Sequence, residues 1–238
     1  MTADRPQSIL SHLEELRWRL VKIAIAVVVA GAVALVFADQ ITDLLEAPFN
    51  KAVPDSSLQT LAVGEQWGVL MRIGLFGGII LASPVVLYQI WAFVTPALTS
   101  GERKWAIPIV AALVILFIGG VAFGYWSLPR GLEFLLEIEI FDVETDLQIG
   151  QYYSFTLRFL LAFGLAFLYP VFLFAAAAAH LITAEQLARG RRWAVVIIVI
   201  GAALITPSGD AFTLLILSVP LYLMYEATYW LVRLTLRR

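Results

Sequence analysis

The sequence predicts an all-α integral membrane protein with six transmembrane helices and both termini inside the cell (N-in/C-in). Apolar residues make up 61% of the 238 residues and charged residues only 14%, whereas a soluble domain carries about a quarter charged residues. The mean hydropathy is +0.87. The chain has no cysteine, which excludes disulfides, thiolate metal sites and thiol nucleophiles.

Long runs without charge divide the chain into six predicted spans within one membrane domain, residues 1–238. A transmembrane helix needs about 20 mostly apolar residues, and the first, fifth and sixth runs are near or below that length. The first run is not followed by the cleavage pattern of a secretory signal, so we expect a retained first span. The spans are predicted at about residues 21–38, 69–90, 105–128, 152–179, 193–207 and 211–231.

The distribution of lysine and arginine predicts the orientation. With the N-terminus inside, twelve of the sixteen basic residues fall in the inner segments, and only Lys51 and Arg130 fall in the outer ones. The positive-inside rule therefore predicts that both termini are cytoplasmic. We expect a multi-pass protein of the cytoplasmic (plasma) membrane.

Proline residues inside the spans predict bent helices. Pro84, Pro170 and Pro220 fall in the second, fourth and sixth spans, where the missing N–H and the ring kink or curve a helix. Bent helices favour a cupped bundle over a tight cylinder. In the outer loops, residues 41–49 and residues 130–151 mix apolar and charged residues, and each is predicted to form a short helix.

The segment SHLEELRWRL, residues 11–20, places two acids at a basic membrane boundary. Ser11 and Glu14 match a capping box, with Ser11 at the N-cap and Glu14 three residues later. One helical face of the segment is apolar, and we expect it to pack against the bundle. The residues of this face are Leu13, Leu16, Leu20 and Ile23.

Glu15 of the same segment has two interpretations. It lies four residues before Arg19, so the two side chains can form an intrahelical ion pair. Alternatively, its carboxylate stays free to receive a cationic partner. The segment FVTPALTSGERK, residues 93–104, adds a second inner acid, Glu102, which can also cap the next helix. If Glu15 and Glu102 lie close together, they form an acidic spot that suits two guanidinium groups.

Four motifs occur in an order and spacing that resembles the TatC family, the multispan subunit of the twin-arginine protein translocase. They are SHLEELRWRL, SPVVLYQIWAFVTPALTSGERK, ALITPSGDAF and SVPLYLMYE. The resemblance implies a receptor that binds twin-arginine signal peptides on the cytoplasmic face, through the N-terminal segment and the first inner loop. The residues at matching positions are Glu15, Arg17, Phe93, Pro96, Leu98, Glu102 and Arg103.

The resemblance also implies partners and an energy source. TatC-like proteins recruit small single-span partners of the TatA and TatB kinds and export folded proteins with the proton-motive force. Self-association within a lipid bilayer is expected, with no nucleic acid, cofactor or metal. Structural or partner-contact candidates are Pro48, Arg158, Leu168, Thr206, Asp210 and Glu226.

Charged and polar residues near the spans carry the remaining expectations. Glu226 in the sixth span snorkels to the inner interface, pairs with an inner arginine or has a functional role. Arg158 and Asp210 lie at the same depth and are predicted to form a structural clamp. TatC-like proteins usually carry Glu or Gln where Leu168 stands, so a carboxylate contact with a partner helix cannot involve this position. Tyr169 could supply a hydroxyl, but it points in a different helical direction.

Other classes of protein fit the sequence less well. A small-solute or ion transporter is the alternative, but it should show polar groups converging at mid-membrane, and the mid-membrane is nearly bare here. A purely structural scaffold predicts no loss of function when Glu102 is replaced. The two histidines are far apart, and the sequence has no HExxH motif, Gly-x-Ser-x-Gly elbow or P-loop. We therefore predict that the protein is not an enzyme.

Overall fold

The structure, a computed structural model, describes residues 9–54, 57–94, 106–137, 147–205 and 211–235. These ranges are helical apart from short connections, and they contain no strand, only one isolated bridge between Gln59 and Gln148. One π-helical turn, Ile73–Gly77, lies between α3 and α4. The helices are α1 (Ile9–Val36), α2 (Ala38–Ala52), α3 (Glu65–Arg72), α4 (Gly78–Leu81), α5 (Ser83–Val94), α6 (Ala106–Glu137), α7 (Ile149–Ala166), α8 (Tyr169–Ala178), α9 (Ala184–Ile205) and α10 (Ala211–Thr235).

Several helices are long and apolar enough to cross a membrane, which confirms the all-α membrane class. Among the described residues, four stretches qualify by themselves, and a fifth qualifies as the bent pair Glu65–Leu81 and Ser83–Phe93. α9 begins with charged residues, and only residues 193–205 of it are free of charge. The six-span count and the N-in/C-in orientation therefore stay predictions. The four stretches are His12–Val36, Ile107–Phe134, Ile149–Ala178 and Thr213–Thr235.

Two of the predicted proline bends coincide with breaks in helices. The second span bends by 57° at Ala82, just before Pro84, and α7 ends at Ala166, shortly before Pro170 in the first turn of α8. A proline ring clashes with the preceding turn and removes one backbone hydrogen bond, which explains both positions. α10, by contrast, continues through Pro220.

Two predicted helix boundaries are wrong. Ser11 is not an N-cap, because Ile9 and Leu10 are already helical. No helix boundary falls after Pro129, because α6 runs without a break to Glu137; residues 138–146 of the predicted short helix lie outside the described residues. Leu132 is buried beyond this proline, so packing against the bundle holds α6 together despite the lost hydrogen bond.

A capping box does occur, but at the start of α9. The Gln186 N–H donates to Thr183 Oγ1 (3.2 Å), and the Thr183 N–H donates to Gln186 Oε1 (2.9 Å). Thr183 is thus the N-cap and Gln186 the third helical residue, the reciprocal arrangement of the motif. The preceding turn holds His180 at a φ of 61°, the left-handed position that commonly ends a helix.

The predicted short helix around residues 41–49 is present as α2, and tyrosines fasten it to the bundle. Pro48 is buried inside α2 and has no N–H for the carbonyl of Leu44 four residues earlier. The Tyr125 hydroxyl donates to that carbonyl oxygen instead, at 2.9 Å. The Tyr153 hydroxyl donates to Glu46 Oε1 at 2.8 Å. Pro48 therefore shapes α2 and its contact with α6.

Glycine residues let helices touch through their backbones. A methyl group placed on Gly78 of α4 would lie 2.7 Å from the Val27 carbonyl oxygen and 2.8 Å from the Gly31 Cα of α1. Small residues at helix contacts are typical of membrane bundles, in which lipid is as apolar as leucine and close packing drives association. The core lies between α6, α7 and α10, around Leu128, Phe163 and Leu217.

The apolar face predicted for the start of α1 coincides only in part with the packed face. Leu13 and Leu20 are 55% and 54% exposed, whereas Glu15, Leu16 and Arg19 are half-buried. The expectation that this face seats the helix against the bundle is therefore wrong for Leu13 and Leu20, whereas Leu16 and Ile23 are half-buried. Apolar periodicity marks the buried face only when water covers the other face, and in a membrane helix lipid covers it.

Candidate functional site

The first turns of α1 lie beside the last turn of α5. The His12 ring stacks on the Phe93 ring, with 4.4 Å between ring centroids and 19° between ring planes. Two turns further along α1, Arg19 Nη1 donates to Gln89 Oε1 at 3.2 Å. Residues three or four apart share a helical face, so these contacts align one face of α1 with one face of α5.

Glu15 lies on this face of α1, between the two contacts. Its Oε1 accepts a hydrogen bond from Arg19 Nε at 3.0 Å and a second one from Arg19 Nη2. Its Oε2 lies 3.9 Å from His12 Nδ1. The intrahelical ion pair is therefore present, and Glu15 is not a free carboxylate. Its side chain is nevertheless 28% exposed to solvent.

Only some of the predicted binding residues come together within the described ranges. Phe93 joins Glu15 through His12. Arg17 is exposed and lies two positions from Glu15, about 200° around the helix, so it faces away from this group. Four predicted residues lie outside the described residues, so the closeness of Glu15 to Glu102 stays a prediction. They are Pro96, Leu98, Glu102 and Arg103.

Sequence reasoning did not identify His12 and Gln89 as parts of this site. His12 lies three residues before Glu15 and seven before Arg19. That spacing places the three polar side chains on one helical face and could have indicated the group. Gln89 offers no such signal, because its contact depends on how α5 packs against α1.

Glu226 has an inner arginine as its partner, one of the interpretations considered for it. Arg191 of α9 approaches its carboxylate with Nε 2.8 Å from Oε1 and Nη2 2.8 Å from Oε2. The Tyr222 hydroxyl donates to Oε1 at 3.1 Å, and the Arg191 guanidinium lies 4.6 Å from the centre of the Tyr229 ring. The two charges thus hold α9 against α10.

Leu168 occupies a closed environment. Its side chain is 5% exposed and packs with Leu87 of α5 and Phe117 of α6. The neighbouring Tyr169 hydroxyl donates to the Leu221 carbonyl oxygen of α10, so it bridges α8 and α10.

Arg158 is exposed on α7. Its predicted partner Asp210 lies outside the described residues, as does Thr206. The Arg158–Asp210 clamp therefore stays a prediction.

Fold and site define a class of protein: a multi-pass helical membrane protein with a polar group where the ends of α1 and α5 meet. The family model of the Sec-independent protein translocase protein (TatC) matches residues 11–220. The chain belongs to the TatC family. It is a component of the Sec-independent (Tat) translocase, acts in a complex with other Tat components, and is not an enzyme.

Individual relatives agree with the family model. The TatC protein of Aquifex aeolicus is 38% identical over 230 residues, which is 95% of each chain. The chloroplastic TATC protein of Arabidopsis thaliana is 37% identical over 98% of this chain and 68% of its own length. A crystal structure of the twin arginine translocase receptor TatC superposes with a TM-score of 0.80, at 38% identity, over 92% of this chain and 98% of the other.

Proposed function

We propose that this chain is the receptor of the Tat translocase for twin-arginine signal peptides. The binding surface comprises the first turns of α1, the end of α5 and the loop that follows α5. Glu15 and Glu102 receive the two guanidinium groups, and Phe93, Pro96, Leu98 and Arg103 border them. Arg17 lies on the other face of α1 and contributes positive charge near the surface rather than a contact with Glu15. One observation carries the proposal: the Glu15 carboxylate already binds the guanidinium group of Arg19, next to the stack of His12 on Phe93.

The ion pair between Glu15 and Arg19 suggests how a ligand enters. A partly exposed pair four residues apart on a helix contributes only about 0.3–0.5 kcal/mol, so an incoming arginine can replace Arg19 at little cost. Arg19 keeps a second acceptor in Gln89 when it releases Glu15. The internal arginine thus occupies the carboxylate until a peptide arginine displaces it.

The proposal extends to topology, partners and energy. The excess of basic residues in the inner segments favours cytoplasmic termini in the cytoplasmic (plasma) membrane, which exposes the α1–α5 surface to newly made cargo. Family membership supports recruitment of TatA-like and TatB-like single-span proteins, self-association and export of folded cargo. The proton-motive force supplies the energy.

Peptide binding to the full chain in detergent micelles tests the receptor proposal. A fluorescent twin-arginine peptide should bind Glu15→Gln at least tenfold more weakly than the wild type, because a hydrogen bond to a charged group contributes about 1.5–3 kcal/mol and tenfold is about 1.4 kcal/mol. Fluorescence anisotropy measures the affinity. Glu102→Gln should weaken binding in the same way, and a twin-lysine peptide should bind more weakly because lysine lacks the planar fork.

Two further variants sharpen this test. Glu14→Gln removes the same charge from an exposed neighbour and should leave the affinity unchanged. Arg19→Gln removes the internal competitor and should tighten binding about twofold, the factor expected for loss of a weak ion pair. Equal affinities of Glu15→Gln, Glu14→Gln and the wild type would reject the assignment of Glu15.

A further inference from the structure

A cleft of about 630 Å³ opens between α3 and α7, at the end of the bundle opposite the start of α1. Backbone hydrogen bonds build its rim, because the Gln59 N–H donates to the Leu147 carbonyl oxygen and the Ile149 N–H to the Gln59 carbonyl oxygen, both at 3.0 Å. Two cations line the cleft, Arg72 of α3 and Arg158 of α7, together with Ser154. None of these residues belongs to the receptor surface proposed above.

The one described carboxylate of the cleft is already used. Glu65 accepts hydrogen bonds from the backbone N–H groups of Leu61 (3.0 Å), Ala62 (3.2 Å) and Gly150 (2.9 Å). The last of these caps the start of α7 with a negative charge, a favourable position for a carboxylate. Glu65 therefore acts as a structural link between the rim and α7.

The two guanidinium groups lack a carboxylate partner within the described ranges. Neither Arg72 nor Arg158 lies within 4.0 Å of a described carboxylate oxygen. Arg72 Nη1 makes only a long hydrogen bond of 3.4 Å to the Gly150 carbonyl oxygen. Arg158 is exposed and makes no hydrogen bond to another described residue. Among the described residues, the cleft thus holds two cations against one anion, Glu65, whose hydrogen bonds are already made.

The depth of Arg72 and Arg158 in the membrane suggests which kind of group neutralises their charges. Arg72 and Arg158 lie seven and nine residues after the first residues of α3 and α7, roughly 10–14 Å along each helix. Both lie in stretches apolar enough to cross a membrane, where a charge needs a partner. Long side chains at such depth reach toward the interface. The exposed Trp67 on α3 is typical of that interface.

We propose that this cleft binds the phosphate of an anionic phospholipid headgroup. Arginine presents a planar fork that matches two phosphate oxygens. The Ser154 hydroxyl already donates to the Gly150 carbonyl oxygen at 2.6 Å, so the two arginines are the donors to the phosphate. The excess of positive charge favours a net anionic headgroup over a zwitterionic one, whose ammonium group the arginines repel. The lipid then completes the wall of the bundle between α3 and α7.

Native mass spectrometry of the full chain tests the proposal. The chain is released from bilayers of equal parts phosphatidylglycerol and phosphatidylcholine, and the bound lipid is counted. The wild type should retain phosphatidylglycerol preferentially, and Arg72→Gln with Arg158→Gln should reduce that retention more than tenfold, since each basic residue near an anionic surface contributes roughly fivefold. Arg158→Gln alone, at an exposed side chain, should still fold and lose about fivefold.

Matched controls separate the cleft from general charge. Arg130→Gln removes an arginine from the end of α6 that lies over the Trp126 ring, and it should keep wild-type retention. Equal loss in Arg130→Gln, or full retention in the double variant, overturns the proposal. In a thermal-melting assay of the delipidated chain, phosphatidylglycerol should stabilise the wild type more than inorganic phosphate at the same concentration. Equal stabilisation by inorganic phosphate overturns the assignment to a lipid.

Discussion

At the residue scale, the pair of Arg191 and Glu226 is the clearest example of a charge placed between helices. The side chains are 40% and 24% exposed, so water reaches them and the pair contributes less than a fully buried one. Arg191 Nη2 donates a charge-assisted hydrogen bond to Glu226 Oε2 at 2.8 Å, and the Tyr229 ring adds a cation–π contact. We therefore expect a measurable coupling between the two residues.

A double-mutant cycle of Arg191→Met and Glu226→Gln measures this coupling. Each single variant should lower the free energy of unfolding, and the double variant should lose less than the sum of the two. The coupling should be clearly different from zero, as expected for two residues in direct contact. Thermal or denaturant unfolding of the full chain in detergent supplies the values. A coupling of zero would show that the pair does not hold α9 against α10.

At the element scale, α6 and α7 approach so closely that one glycine of α6 has no room for a side chain. A methyl group on Gly120 would lie 2.6 Å from the Phe163 carbonyl oxygen and 2.9 Å from the Phe167 Cβ. The adjacent Gly119 has no such neighbour within 4 Å. The two glycines therefore differ in packing although they are neighbours in sequence.

Alanine at these two positions gives a matched comparison. Gly120→Ala should destabilise the protein by about 1–3 kcal/mol, as overpacking does when backbone must move. Gly119→Ala should be neutral or stabilising by up to about 1 kcal/mol, because alanine suits a helix interior better than glycine. The midpoint of thermal unfolding distinguishes the two variants. Similar midpoints would mean that α6 and α7 do not meet through their backbones.

At the scale of the whole molecule, α9 is short for a membrane span. Its uncharged part, residues 193–205, reaches only about 20 Å at 1.5 Å per residue, whereas the hydrocarbon core is about 30 Å thick. α1 and α10 are not short, because His12–Val36 and Thr213–Thr235 qualify as spans of 25 and 23 residues, so the expectation of a short first and a short sixth span is wrong. Mismatch at α9 alone can thin the bilayer locally, which would ease the passage of a folded cargo.

Lengthening α9 tests this role of thinning. Four leucines inserted between Val199 and Ile200 should impair export of a twin-arginine cargo while peptide binding stays normal, because the longer helix no longer thins the bilayer. Export from membrane vesicles is the measurement. Leucine substitutions at the exposed Val195, Val196 and Ile197 change composition without length and should leave export intact. Normal export by the lengthened chain would exclude the thinning role.

The fold class could be predicted from the sequence because a chain in lipid must satisfy its backbone hydrogen bonds internally. Because unpaired backbone groups are costly in hydrocarbon, apolar runs of sufficient length form helices, and composition alone was enough to predict the class. The breaks near Pro84 and Pro170 were predictable because proline acts locally. The packed face of α1 was not, since Leu13 and Leu20 gain as much from lipid as from a neighbouring helix.

The contacts of the candidate site likewise fall into two groups: those that the sequence predicts and those that depend on the tertiary structure. Glu15 and Arg19 are four residues apart on one helix, so the sequence alone predicted their ion pair as one of two interpretations of Glu15, whereas it determined the membrane class outright. The stack of His12 on Phe93 and the pair of Arg191 with Glu226 join residues 81 and 35 positions apart. Only the tertiary structure decided these contacts, because they depend on the bends and glycine contacts that bring separate helices together.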